Sequence, residues 1–251
     1  MKLFFHKAQK SPSSPVTPKE AQKISKTLFS KSPETDLHQR VLLAIAAPMR
    51  AKNRQAADAL PNFSKKEKDR LRTMFCAQFG ELTKETLTEQ IEQALSFRTT
   101  EHYDALLGFA AAGDESSIET YLTRKLSGND RCFSKSQPLY AYCKRLETIG
   151  FSSAVSACAY DLCRAANFAV IGFGIDLFSK EELYEILSKT ETFLKQKFSS
   201  YQEYLSGYLL GRGCHIWLSG EFMALLSDYD QTICRVLLSD SRSPYVQLPL
   251  Q

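Results

Sequence analysis

Residues 154–175 read AVSACAYDLCRAANFAVIGFGI. The run is apolar on every side of a helical wheel: Val155, Cys158, Ala159, Leu162, Cys163, Ala166, Phe168, Ala169, Val170 and Ile171. An ordinary surface helix keeps one apolar stripe at 3.6 spacing; a helix apolar all round is one that other helices enclose. A membrane span needs about twenty apolar residues. The run is long enough for that, but Asp161 and Arg164 lie near its middle, with Ser156 and Asn167 as further polar groups. A charge at mid-bilayer costs roughly 2.5–3.5 kcal/mol, so the stretch reads as the buried central helix of a protein core. The expected helix covers 154–172, capped by Ser152 or Ser153 and closed by Gly172 and Gly174.

Around that helix the chain shows helical periodicity throughout and no strand-like alternation. Ser64-Lys65-Lys66-Glu67, Ser179-Lys180-Glu181-Glu182 and Ser200-Tyr201-Gln202-Glu203 have the form of capping boxes, and Thr17-Pro18-Lys19-Glu20 adds proline at the first helical position. Stripes such as Leu87, Ile91, Leu95 and Leu183, Ile186, Leu187, Thr190, Leu194 follow the helix starts. Pro48 is expected to kink or end the helix begun near Asp36. A polar loop is expected over 129–137, a last helix over about 220–238, and an extended apolar tail in SPYVQLPL. The fold class is therefore all-α: about ten helices around a buried central helix. Residues 1–34 read as a flexible basic arm and 35–251 as a single helical domain.

The totals bound the function. Of 251 residues, 43% are hydrophobic, enough for a sizeable core. Seven cysteines form neither CxxC nor zinc-type Cys/His spacing. Several fall in apolar helices (Cys76, Cys158, Cys163, Cys234), where a thiol acts as a small hydrophobe. An odd count without a disulfide framework suits a reducing compartment. The apolar run Leu3-Phe4-Phe5 is far shorter than the roughly 7–15 residues of a signal-peptide core, so the expected location is cytoplasmic. No metal site, no cofactor fingerprint, no P-loop and no HExxH or GxSxG motif is present. Residues 1–72 carry +10 and the remainder −6; such a basic region either touches nucleic acid or another acidic partner, or is solvated charge.

Two polar clusters stand out. Asp161 and Arg164, at i and i+3, share a helix face and read either as a buried ion pair or as part of a binding or acid–base site. Tyr208, Arg212 and His215 share a face of a later helix that could meet Asp161; they read as a hydrogen-bonded seam between helices, or as a pocket in which His215 works near neutral pH. Gly207, Gly211 and Gly213 lie inside that same helix. Glycine there costs roughly 1 kcal/mol against alanine, which implies a backbone passing close, the central helix being the candidate. Trp217 sits at core spacing.

The segments AYDLCRAANFAVIGFGIDLFSKEELYEIL, FSSYQEYLSGYLLGRGCHIW and SPYVQLPL resemble a bacterial family catalogued as a domain of unknown function, which includes the enterobacterial YbeR and YbeU proteins. The similarity is best over 150–250 and reaches back to about residue 40. Tyr160, Tyr201, Tyr245 and Leu250 stand where tryptophan is expected in many relatives. The resemblance implies a helical cytoplasmic domain and no stated activity; Asp161, Arg164, Gly211, Arg212 and Trp217 are the positions that carry over. Three functions follow as expectations: a protein-interaction module of adaptor or toxin-neutralising type, an enzyme or small-ligand domain with its pocket at Asp161, Arg164, Arg212 and His215, or nucleic-acid binding through the basic N-terminal region.

Overall fold

The structure is a computed structural model and describes residues 18–125, 136–219 and 228–250. Among these residues there are thirteen helices and no strand. In chain order they are α1 (Pro18–Leu28), α2 (Leu37–Ala44), α3 (Ala47–Lys52), α4 (Lys65–Phe79), α5 (Lys84–Leu95), α6 (Arg98–Ala112), α7 (Glu115–Lys125), α8 (Ser136–Thr148), α9 (Cys158–Gly174), α10 (Lys180–Lys197), α11 (Tyr201–Leu218), α12 (Asp228–Ser239) and α13 (Pro244–Gln247). The expected loop over 129–137 and the start of the last helix fall mostly or wholly outside the described residues.

Helix α9 is the hub. It packs against α5, α10 and α11, with α3 and α6 completing its surroundings. Every residue from Cys158 to Gly172 except Arg164 is buried. That is the physical content of an all-round apolar sequence: there is no solvent face to decorate. Charged and polar residues then have to be satisfied within the protein.

The boundaries of α9 correct the sequence expectation. It begins at Cys158, four residues later than expected, and neither Ser152 nor Ser153 caps it. The cap comes from across the fold. Asp104 on α6 accepts the Ala157 N–H and the Ser156 hydroxyl, both at 2.6 Å, and Ser156 Oγ accepts the Cys158 N–H at 3.1 Å. At the other end the helix runs two residues past the expected 172: Gly172 lies inside it, and Gly174 is its last residue, as a helix-closing glycine was expected to be. Phe178 and Leu87 press on Gly172, and Phe63 presses on Gly174, where a Cβ would collide. These glycines are there for packing, not for a left-handed turn.

The capping boxes at Ser64 and Ser179 form as read. The one at Ser200 is half formed: Ser200 accepts the Glu203 N–H, but the Glu203 carboxylate takes the Ser199 N–H and hydroxyl instead. As expected, the helix begun at Leu37 breaks before Pro48: α2 ends at Ala44, whose carbonyl lacks the N–H that residue 48 would otherwise offer, and Pro48 takes the second position of α3. Two tyrosines secure this break: Tyr245 donates to Ala44 O and Tyr204 to Ile45 O, each at 2.7 Å. Carbonyls at a helix end lack intrahelical partners, and here buried phenols supply them. The tail that carries Tyr245 is a helical turn, α13, capped by Ser243, and not an extended segment. Tyr245 also stacks on Tyr201, centroids 3.9 Å apart.

Within the stretch expected to be a flexible arm, residues 18–29 are packed. Ile24, Leu28 and Phe29 are buried, and Ser25 donates to Asp240 at 2.6 Å. Residues 1–17 lie outside the described residues. The described cysteines are free thiols; all are buried but Cys76, which faces solvent on α4, contrary to its expected place in an apolar face.

Candidate functional site: the α9–α11 seam

Helices α9 and α11 cross at unusually close range, and the glycines of α11 are the cause. A Cβ on Gly207 would lie 3.0 Å from Ala159 Cβ and inside contact with Ser156 O. One on Gly211 would lie 2.7 Å from Ala157 O and inside contact with Tyr160. The expected close approach of the central helix is thus present at Gly207 and Gly211. Gly213 differs: it makes room for the Tyr142 ring of α8. The close crossing sets Tyr160 of α9 directly against the Tyr208–Arg212–His215 face of α11.

Tyr160 is the centre of the site. Its ring centroid is 5.3 Å from that of His215, 6.0 Å from Tyr208 and 6.5 Å from Tyr103. The Arg164 guanidinium lies between two rings of its own helix, 5.9 Å from the Tyr160 centroid and 5.8 Å from that of Phe168. Arg212 hydrogen-bonds the Tyr160 side chain. Two guanidiniums from different helices therefore approach one phenol, Arg164 by cation–π attraction and Arg212 by a hydrogen bond. Trp217 is buried further along α11.

Asp161 takes a different place from the one expected. It does not reach the α11 cluster. Its carboxylate is fully buried and accepts from Arg164 Nη1 at 2.8 Å and from Thr100 Oγ1 at 3.0 Å. Burial pushes its pKa up, and the bonds from Arg164 and Thr100 pull the other way. The five predicted residues thus separate into an ion pair, Asp161–Arg164, and an α11 set. Tyr160 and the Arg164 side chain connect the two.

Helix α6 supplies what sequence reading missed. Thr100, Tyr103 and Asp104 share one face at i, i+3 and i+4, and each serves the α9 region: Thr100 bonds Asp161, Tyr103 OH bonds His215 Nδ1 at 3.3 Å, and Asp104 caps α9. The sequence shows Tyr103 only as part of an apolar stripe. Lys52 of α3 and Asp230 of α12 form a second ion pair nearby, 2.7 Å apart. Asp230 acts electrostatically on Tyr208 and Arg212. Tyr208 itself is buried, and its hydroxyl has no hydrogen-bond partner among the described residues.

The electrostatics decide what His215 can do. Burial, followed by the charges of Arg212, Arg164 and Lys52, lowers its pKa to about 4. At neutral pH the ring is uncharged and serves as a hydrogen-bonding group, not as a cation. The thiols of the core are unreactive for a related reason: burial pushes Cys143 up to about 11 and Cys163 up to about 12, and the thiolate is the nucleophile. No group of His, Cys, Asp and Glu residues suited to a metal ion occurs among the described residues, and no described helix is long and apolar enough to cross a membrane.

These features define an all-helical domain built on a buried central helix, with a guanidinium–phenol–imidazole seam at one end of it. The chain belongs to DUF1266, a family described as proteins of unknown function, whose model matches residues 34–250. No curated protein and no solved structure matches the chain.

Proposed function

We propose that the chain is a protein-interaction module and that its contact site is the edge of the α9–α11 seam, where Arg164, Arg212 and His215 reach solvent beside Tyr160. The observation that carries this reading is the partial exposure of those three side chains over a rigid, buried aromatic bed of Tyr103, Tyr160 and Phe168. Arginine and tyrosine dominate the residues that carry binding energy at interfaces, and they do so when held in place before the partner arrives. The adaptor or toxin-neutralising role, and kinship with YbeR and YbeU within the family, belong to the same proposal. So does a cytoplasmic location, which free thiols at every described cysteine support.

The other readings draw less support. An acid–base enzyme at this site would need a proton carrier near neutral pH. His215 titrates far below that range, and Asp161 is occupied by Arg164 and Thr100. Nucleic-acid binding through residues 1–72 loses part of its charge to the fold. Arg40 and Lys52 pair with Asp58 and Asp230, Lys68 pairs with Asp176, and Arg50 and Arg72 donate to backbone carbonyls.

The test is capture of partners from native lysate by the wild-type chain, by Arg212→Gln and by His215→Asn, with Lys189→Glu on the exposed face of α10 as control. Loss of one specific polypeptide by both seam variants, at unchanged melting temperature and with the control retaining it, is the expected result. An identical set of captured proteins for all four chains sinks the proposal.

A further inference from the structure

A cleft of about 450 Å³ opens at the C-terminal end of α9, roughly 20 Å along the helix axis from Tyr160 at 1.5 Å per residue. Its walls include Phe63, Phe173, Leu177 and Phe178, and its polar side includes Lys68 and Asp176. The apolar walls follow from the α9 glycines: because Gly172 and Gly174 carry no side chain, Phe178 and Phe63 pack directly against the helix end. Asp176 adopts the left-handed region, φ 66°, which turns its carboxylate toward α4. There Lys68 Nζ donates to both oxygens, at 2.8 and 2.6 Å. The Asp176 side chain is 67% exposed and that of Lys68 29%, so this ion pair is in contact with water and contributes little to folding. Opening it to admit a ligand therefore meets little resistance.

Small-molecule sites run from about 300 to 1,000 Å³, with mostly apolar and aromatic walls and a few convergent polar groups. This cleft has that size, and polar and apolar surface share its lining about equally. The two charges narrow the ligand class. An anion would take Lys68 and leave Asp176 without its countercharge; a cation would do the reverse; a neutral apolar molecule would use neither. A zwitterion replaces one ion pair by two. We propose that the cleft binds a small zwitterion with an apolar side chain, of the size of a free aromatic amino acid. Its carboxylate lies on Lys68, its ammonium on Asp176, and its side chain over the half-buried Phe173 and Leu177. This site is independent of the α9–α11 seam and of the interaction proposed there.

The experiment is titration of the full chain, followed by calorimetry and by NMR, with four probes: L-phenylalanine, phenylacetate, 2-phenylethylamine and benzyl alcohol. L-phenylalanine is expected to bind in the millimolar range, about twofold to fivefold more tightly than any of the other three, as expected for one added exposed ion pair. Lys68→Gln and Asp176→Asn are each expected to remove that preference; asparagine tolerates the left-handed backbone at 176. Leu177→Trp places an indole in the cleft without touching either charge and is expected to abolish binding while the melting temperature holds. The proposal is overturned if no probe binds, if L-phenylalanine binds no better than benzyl alcohol, or if the Leu177→Trp chain, folded, binds it as well as wild type.

Discussion

Acidification from about pH 7.5 to about pH 5, above the range in which the carboxylates titrate, should destabilise this protein chiefly through His215. In the unfolded chain its imidazole titrates near the ordinary value of 6.5; in the folded protein burial and the charges of Arg212, Arg164 and Lys52 lower it to about 4. Between those two values the unfolded state binds the proton and the folded state does not. Stability therefore rises with pH across the window and falls as pH drops through it. At about 1.36 kcal/mol per pH unit, the full window corresponds to roughly 3 kcal/mol. The part lost between about pH 7.5 and about pH 5 is roughly 2 kcal/mol. The assay is urea denaturation at those two pH values for wild type and for His215→Asn, whose amide can keep a hydrogen bond to Tyr103 OH but cannot take up a proton. Wild type is expected to lose about 2 kcal/mol more than the variant on acidification. Direct NMR titration of the His215 ring should give a midpoint well below 6. Equal pH slopes for the two proteins, or a ring that titrates near 6.5, would refute the account of the seam as a site where cations surround a buried imidazole.

Further outcomes follow from the same geometry. Arg164→Met should destabilise the protein more at neutral pH than Asp161→Asn, because removing the base leaves a fully buried carboxylate held by Thr100. Breaking a buried pair in that way costs about 3–5 kcal/mol, whereas the partly exposed arginine keeps access to water; thermal melts of both variants decide it, and the Arg164→Met deficit should shrink at low pH as Asp161 protonates. Gly211→Ala should lower stability by about 1–3 kcal/mol through overpacking against Ala157 O and Tyr160, despite the roughly 1 kcal/mol by which a helix interior favours alanine; a rise in melting temperature would contradict the close crossing. Tyr245→Phe should cost about 1–3 kcal/mol by leaving the buried Ala44 carbonyl without its donor, and amide exchange near the α2–α3 break should quicken with it.

Much of the fold was legible because periodicity and burial are local properties of the chain. The all-round apolar run at 154–175 implied an enclosed helix, and α9 is that helix. Of the stripe Leu183, Ile186, Leu187, Thr190, Phe193 and Leu194, α10 buries Leu183, Leu187, Thr190 and Leu194, while Ile186 and Phe193 are partly buried at its margin. The glycines of α11 implied a close neighbour, and Gly207 and Gly211 meet α9. Where the reading failed, the deciding partner was distant in sequence. Ser152 and Ser153 are good capping residues by type, yet Asp104 reached the α9 terminus from α6. Gly172 suits a helix end, yet Phe178 makes it a packing position. Asp161 and Arg212 looked like partners, yet Thr100 met the first and Tyr160 the second.

By itself, then, the sequence determined the helical class, the central helix, and which side chains would be costly to bury, since each depends on the 3.6-residue period and on the chemistry of single residues. The tertiary structure alone decided which polar groups meet. A helix face specifies what it presents but not what stands opposite, and the pairing of Thr100 with Asp161, Tyr103 with His215 and Lys68 with Asp176 depends on how helices far apart in the chain pack around α9.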